Sequence, residues 1–161
     1  MTNFYNDISR GKVGESIFIE DFLKFLHIEY MNVTGCQQFQ IVDSDFIAKI
    51  GTYEIKMNYK DDKKIIIEEY TNINKTLGPI SKGWFYKSKA DIIVFISKDT
   101  NVMVLLPFTE QFKKHYELIK DKYELRLNGY STNGNNKWQS AFRRIDLDAI
   151  SGFYSMYKRC K

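Results

Sequence analysis

The stretch "GTYEIKMNY" (residues 51–59) decides how the chain is read, because its alternation is that of a β-strand with one apolar and one polar face. Tyr53, Ile55, Met57 and Tyr59 fall on one side, and Glu54, Lys56 and Asn58 on the other. Just upstream, "DSDFIAKIGT" supplies a second short strand over 45–48 and a tight turn, "KIGT", that folds it back as a hairpin. That hairpin places Asp45 close to a paired position with Glu54, so two carboxylates from neighbouring strands come within reach of one cation. Asp43 points to the same strand face if the strand is regular. Asp45 is preferred because it directly precedes the apolar pair Phe46-Ile47.

An acid-x-Lys triplet is weak evidence by itself, and the sequence has others at Asp61/Lys63 and Asp62/Lys64 in the charged turn "KDDK". Only Glu54-Ile55-Lys56 sits in a strand with a partner carboxylate. Upstream, residues 11–27 read as a helix: at about 100° per residue, Phe18, Ile19, Phe22, Phe25 and Leu26 gather on one face, with Ser16, Glu20, Lys24 and His27 opposite. Glu15 falls within the apolar face. A carboxylate among apolar side chains costs several kcal/mol unless it meets a cation, or the helix starts late enough for its dipole to help.

The chemistry that suits this grouping is phosphodiester hydrolysis. Asp45, Glu54 and the main-chain carbonyl of Ile55 are the expected ligands of Mg²⁺, a cation that takes one or two carboxylates and keeps several waters. Lys56 would position a water or offset charge in the transition state, and Glu15 would complete a second metal position or orient a water.

Other strands are expected at 39–42, 64–70, 91–97 and 102–108, the first two continuing an antiparallel meander through 45–48 and 52–59. Residues 71–89 read as a basic turn region, 109–122 as a helix with Phe112, Tyr116 and Ile119 on one stripe, and 128–144 as a polar loop. A short strand near 142–145 and a last helix near 148–158 close the chain. With 161 residues, 43% of them apolar and 16% aromatic, one domain spanning 1–161 with a substantial core is expected.

The charge of +4 and pI near 8.9 suit a polyanion without requiring one. Lys82, Lys87, Ser88 and Lys89, interleaved with Trp84, Phe85 and Tyr86, are candidates to grip phosphates and stack on bases, as are Lys137, Arg143 and Arg144 for backbone phosphates. The alternative for the first group is a basic loop that packs its aromatics into the core. Cys36 and Cys160 are far apart and the histidines number two, which argues against a zinc site. No signal-peptide layout opens the sequence and no apolar run approaches the roughly 20 residues of a membrane span, so the expectation is a soluble, cytoplasmic protein.

The order Glu15, then Asp45, then Glu54-x-Lys56, on helix, strand and strand, resembles the PD-(D/E)xK nuclease superfamily, which includes restriction endonucleases, Holliday-junction resolvases and phage endonucleases that cut branched DNA. Ser44 stands where that motif usually has proline, and "KSKADIIVF" (87–95) is similar to phage members. The resemblance covers about residues 11–97. It implies an α/β fold with a mixed β-sheet flanked by helices in αβββαβ order, dependence on Mg²⁺ or Mn²⁺, DNA as substrate, branched in the resolvase-like branch, and a homodimer. The alternative expectation is a catalytically silent module of the same fold that binds nucleic acid or a protein.

Overall fold

The computed structural model describes residues 4–34, 36–40, 44–49, 51–58, 63–74, 78–97, 99–100, 102–128, 131–133 and 136–158. Helix α1 (Phe4–Phe18) starts ahead of the expected span and continues into a π-helical turn at Ile19–Lys24. Bonds from i to i+5 widen that turn, so Leu23 rather than Phe25 comes round beneath Phe18. Phe18, Phe22 and Leu23 are buried, while Phe25 and Leu26 are exposed, which corrects the face expected from regular helical spacing. The helix ends where the Ile28 N–H donates to the Leu23 carbonyl (2.8 Å) and the His27 N–H to that of Lys24 (3.1 Å). His27 holds the left-handed position of this motif, φ 53°, where glycine is usual.

Three antiparallel strands follow: β1 (Tyr30–Asn32), β2 (Phe46–Ala48) and β3 (Gly51–Asn58), with a short helix α2 (Gln37–Gln40) between the first two. The strand expected at 39–42 is therefore helical where described, and Asp43 lies outside the described residues. The chain then forms β4 (Lys64–Asn74), β5 (Gly78–Lys82), α3 (Trp84–Lys87), β6 (Ile92–Ser97), β7 (Val102–Pro107) and α4 (Glu110–Ile119). Thr109 caps α4, its hydroxyl accepting from the Phe112 N–H, and Phe112, Tyr116 and Ile119 are the buried stripe as expected. Short strands β8 (Arg126–Leu127), β9 (Ser131–Asn133) and β10 (Asn136–Trp138) lead to β11 (Ala141–Asp146). In place of the expected last helix the chain makes a 3₁₀ turn at Leu147–Ile150, turns at Gly152 (φ 90°) and adds an edge strand, β12 (Ser155–Lys158).

The main sheet runs β1-β2-β3-β6-β7-β12, parallel between β3 and β6 and antiparallel elsewhere. The second, antiparallel, runs β5-β4-β11-β8. β4 was expected beside β3, but β3 has two edges: β2 takes one and β6 the other. The run "IIVFIS" is apolar on both faces, and such a strand is stable only in the middle of a covered sheet, which displaces β4. β4, buried at alternate residues (Ile65, Ile67 and Glu69), becomes the spine of a half-buried sheet instead. Successive β6 residues serve opposite layers. Val94 and Ile96 meet α1 and its π turn through Phe18, Phe22 and Leu23, whereas Ile93 and Phe95 meet Ile65 and Ile67 of β4 and the aromatic side chains of α3 and α4. The fold is thus α/β, a mixed sheet flanked by helices, and the αβββαβ order is carried by α1, β1, β2, β3, α3 and β6, with α2 inserted after β1 and β4 and β5 inserted after β3. Among the described residues no helix is long and apolar enough to cross a membrane.

Burial pushes the hydroxyls of Tyr53 and Tyr86 up to about 12, helped by the negative charges of Asp91 and Glu69 respectively, and Tyr116 higher still. Unfolded tyrosine ionises near 10, so the stability these residues contribute is complete below that pH and is lost as pH rises toward 12. Thermal melts are expected to be flat from neutrality to about pH 9.5 and then to fall, by about 1.4 kcal/mol per pH unit for each tyrosine held neutral. A melting temperature unchanged at pH 11.5 would contradict this.

Candidate functional site

The β2–β3 hairpin closes through two residues, with Ala48 opposite Gly51 and Phe46 opposite Tyr53. One step further the Asp45 N–H donates to the Tyr53 carbonyl (2.8 Å), which puts Asp45 opposite Glu54. The Asp45 carboxylate turns toward β3 and its Oδ2 accepts from the Ile55 N–H at 2.8 Å. In an extended strand the N–H and C=O of a residue point to the same side, so the Ile55 carbonyl faces the same open edge of β3. Gly51 is required at the turn: its φ is 139°, and a Cβ there would lie 3.1 Å from Asp91. Asp91 in turn fixes β3 against β6, its Oδ2 accepting from the Thr52 N–H (2.8 Å) and hydroxyl (2.9 Å).

Tyr53 and Ile55 point into the α1 layer, which leaves Glu54 and Lys56 on the opposite face. Glu54 is 6% exposed, and its carboxylate is paired with the Lys56 ammonium. Lys56 also lies over the Trp84 ring, 5.6 Å from its centroid, at the start of α3. From the other side α1 approaches β3 closely at Gly14, where a Cβ would meet the Met57 sulfur at 2.6 Å. The next residue, Glu15, is half-buried and hydrogen-bonded to Thr34. Burial first, and then the charge of Glu54, push the Glu15 carboxyl above the usual range, against the opposing effects of Thr34 and Lys12.

Asp45 therefore stands opposite Glu54 in register and Lys56 shares the Glu54 face, while Glu15 lies on the α1 side of β3, within electrostatic range of Glu54. Among the described residues no three Asp, Glu, His or Cys side chains form a ready-made metal cage. The groups suited to a divalent cation are oxygen donors from two adjoining strands, the Asp45 and Glu54 carboxylates and the Ile55 carbonyl, with Glu15 beyond them. Two contributors escaped the sequence reading. Thr34 sits in a turn that Asn32 Oδ1 holds by accepting from the Thr34 N–H (3.0 Å), and its hydroxyl lies 3.4 Å from the Asp45 carbonyl; the "NVT" spacing was the available signal. Trp84, read as either a base-stacking residue or one packed into the core, is packed into the core, buried beneath Lys56.

The expected nucleic-acid contacts divide. Lys82, Lys87 and Lys89 are exposed around α3, Lys82 lying 5.9 Å from the Tyr86 ring centroid. Ser88 is buried: its hydroxyl accepts from the Ala90 N–H (3.2 Å) and its N–H donates to the Trp84 carbonyl, so it ends α3 instead of facing solvent. Arg143 is corrected likewise. It points inward to Glu69, Nε to Oε1 2.7 Å, and donates to the Tyr123 carbonyl. The same Glu69 oxygen accepts from the Tyr116 hydroxyl at 2.6 Å, making a buried polar network rather than a phosphate contact. Arg144 is on the other face of β11, and the side chain of Lys137 lies outside the described residues.

No family model matches the chain, and no curated protein matches it in sequence. Among solved structures it is similar to the bacterial homing endonuclease I-Ssp6803I, at 14% identity over 62% of this chain and 67% of that one, with a TM-score of 0.45.

Proposed function

We propose that this protein is a metal-dependent endonuclease that hydrolyses DNA phosphodiester bonds, acting as a homodimer on branched DNA. The observation that supports it is the register of the β2–β3 hairpin, which sets Asp45 opposite Glu54 and leaves Lys56 on the Glu54 face. The donor set is all oxygen, as Mg²⁺ or Mn²⁺ prefers, and the Glu15 carboxyl, raised by burial first and then by the charge of Glu54, lies within electrostatic range of it. Asp45, Glu54 and the Ile55 carbonyl would hold the cation, with Glu15 for a second position. A bound Mg²⁺ lowers the pKa of its water and offsets phosphate charge. The Ile55 N–H keeps the Asp45 carboxylate aimed along the β3 edge, so its geometry is set before any ligand arrives. Lys56 brings a positive charge to the same edge, fixed by Trp84, where it would face the scissile phosphate.

A second reading is a binding module without turnover, and the direct Lys56–Glu54 pair favours it, since that pair neutralises the buried carboxylate with no metal. Manganese titration by calorimetry and plasmid nicking in Mg²⁺ or Mn²⁺ separate the two. Heat of binding with nicking is the expected result; neither appearing leaves the binding module. Faster cutting of a four-way junction than of linear duplex tests the substrate, and light scattering tests the dimer.

A further inference from the structure

The Lys56 ammonium has two neighbours of different kinds. It is ion-paired with the buried Glu54 carboxylate, and it lies 5.6 Å from the centroid of the Trp84 ring. A buried carboxylate is costly unless a cation compensates it, and Lys56 is a cation that the structure sets on Glu54. A divalent ion on the same carboxylate would take over that compensation and repel the ammonium. The Lys56 side chain is 27% exposed against 7% for that of Glu54, so the ammonium is the half of the pair with space to move. Trp84 offers it a second seat. That ring is buried and held by Phe85, Phe95 and Phe108, at centroid distances of 6.1, 5.9 and 5.8 Å, so it stays in place while a flexible four-carbon stem swings over it.

We propose that Lys56 is an internal competitor for the divalent cation: it occupies Glu54 until metal loads, and then cedes the carboxylate and settles over Trp84. This rests on the metal site proposed above and adds its regulation. The apparent metal affinity is lowered by the fraction of molecules in which the pair is closed, so a pair closed in about nine molecules of ten weakens binding about tenfold. The displaced ammonium stays at the β3 edge, on the side where it would face the scissile phosphate. One side chain thus neutralises Glu54 before loading and serves the loaded site afterwards.

Mn²⁺ affinity is measured by calorimetry at about 150 mM salt, which screens exposed charges beyond about 8 Å, for wild type, K56M and K12M. Lys12 is exposed and acts on the neighbouring Glu15 through its charge, so K12M reports what the loss of one nearby positive charge does by itself. K56M is expected to bind Mn²⁺ about tenfold more tightly than wild type, and K12M to stay within about twofold of it. In thermal melts K56M should gain more from saturating Mg²⁺ than wild type does, because the cation replaces the missing ammonium. Trp84 adds an optical readout, since the chain has two tryptophans. In W138F, Mg²⁺ should change the Trp84 emission, and in W138F/K56M it should not. W138F keeps Lys56, so its emission decides the question even where K56M does not fold. Equal Mn²⁺ affinity of wild type and K56M, or a gain no larger than that of K12M, with Trp84 emission indifferent to Mg²⁺, overturns the competition and leaves the metal site standing. No heat from any of the three proteins removes the metal site and the competition with it. Heat from K56M alone shows a site that Lys56 keeps closed.

Discussion

Lys56→Ala is expected to lower metal-dependent cleavage by about 10²–10³-fold, the usual cost of removing one group that stabilises charge in a transition state. The substitution also has a structural effect, because it takes the ammonium away from a carboxylate that is 6% exposed. Breaking a buried ion pair from one side costs about 3–5 kcal/mol; with the Lys56 side chain 27% exposed, the lower end applies. Lost activity alone would therefore not separate chemistry from folding. The double variant E54Q/K56M does so: it removes both charges while keeping volume, so its melting temperature should return toward wild type while cleavage stays lost. Single-turnover rates beside thermal melts make the measurement. Wild-type cleavage by K56A, or any substantial cleavage by the double variant, excludes the assigned roles.

The largest effect on stability is expected at Glu69, away from the candidate site. One of its oxygens takes both the Tyr116 hydroxyl and Arg143 Nε, and the residue is 2% exposed. Glu69→Ala removes the buried carboxylate from Arg143, which keeps the Tyr123 carbonyl and the exposed Asp121 (3.4 Å), and leaves the Tyr116 hydroxyl without its acceptor, at about 3–5 kcal/mol. At about 2–4 °C per kcal/mol for a domain of this size, the melting temperature should drop by roughly 10 °C. E69A/R143M, which removes the charge from both ends, should recover much of the loss. A drop under about 2 °C for E69A would show that the network contributes little.

What could be read from the sequence was local. The β2–β3 hairpin declared itself because turn residues and period-2 alternation agree over one short stretch, and they fixed Asp45 against Glu54. The helix face was misread at Phe25 and Leu26 because a π turn changes the period without changing composition. The place of β4 was misread because pairing with β3 is a competition, and its winner, β6, lies beyond two intervening strands. Arg143 looked like a surface cation for the same reason: its partner Glu69 is 74 residues away and shares no pattern with it.

The parallel pairing of β3 with β6 also bears on how the molecule comes into being. Every side chain of the carboxylate cluster is encoded by residue 56, but the strand that flanks β3 follows only at Ile92–Ser97, after the chain has detoured to build much of another sheet. Closing so long a connection carries an entropic penalty that neighbouring contacts cannot offset in advance. During vectorial synthesis the acidic edge thus exists for a time as an unsupported hairpin, and it acquires its shape only when the nascent chain has delivered its hydrophobic centre.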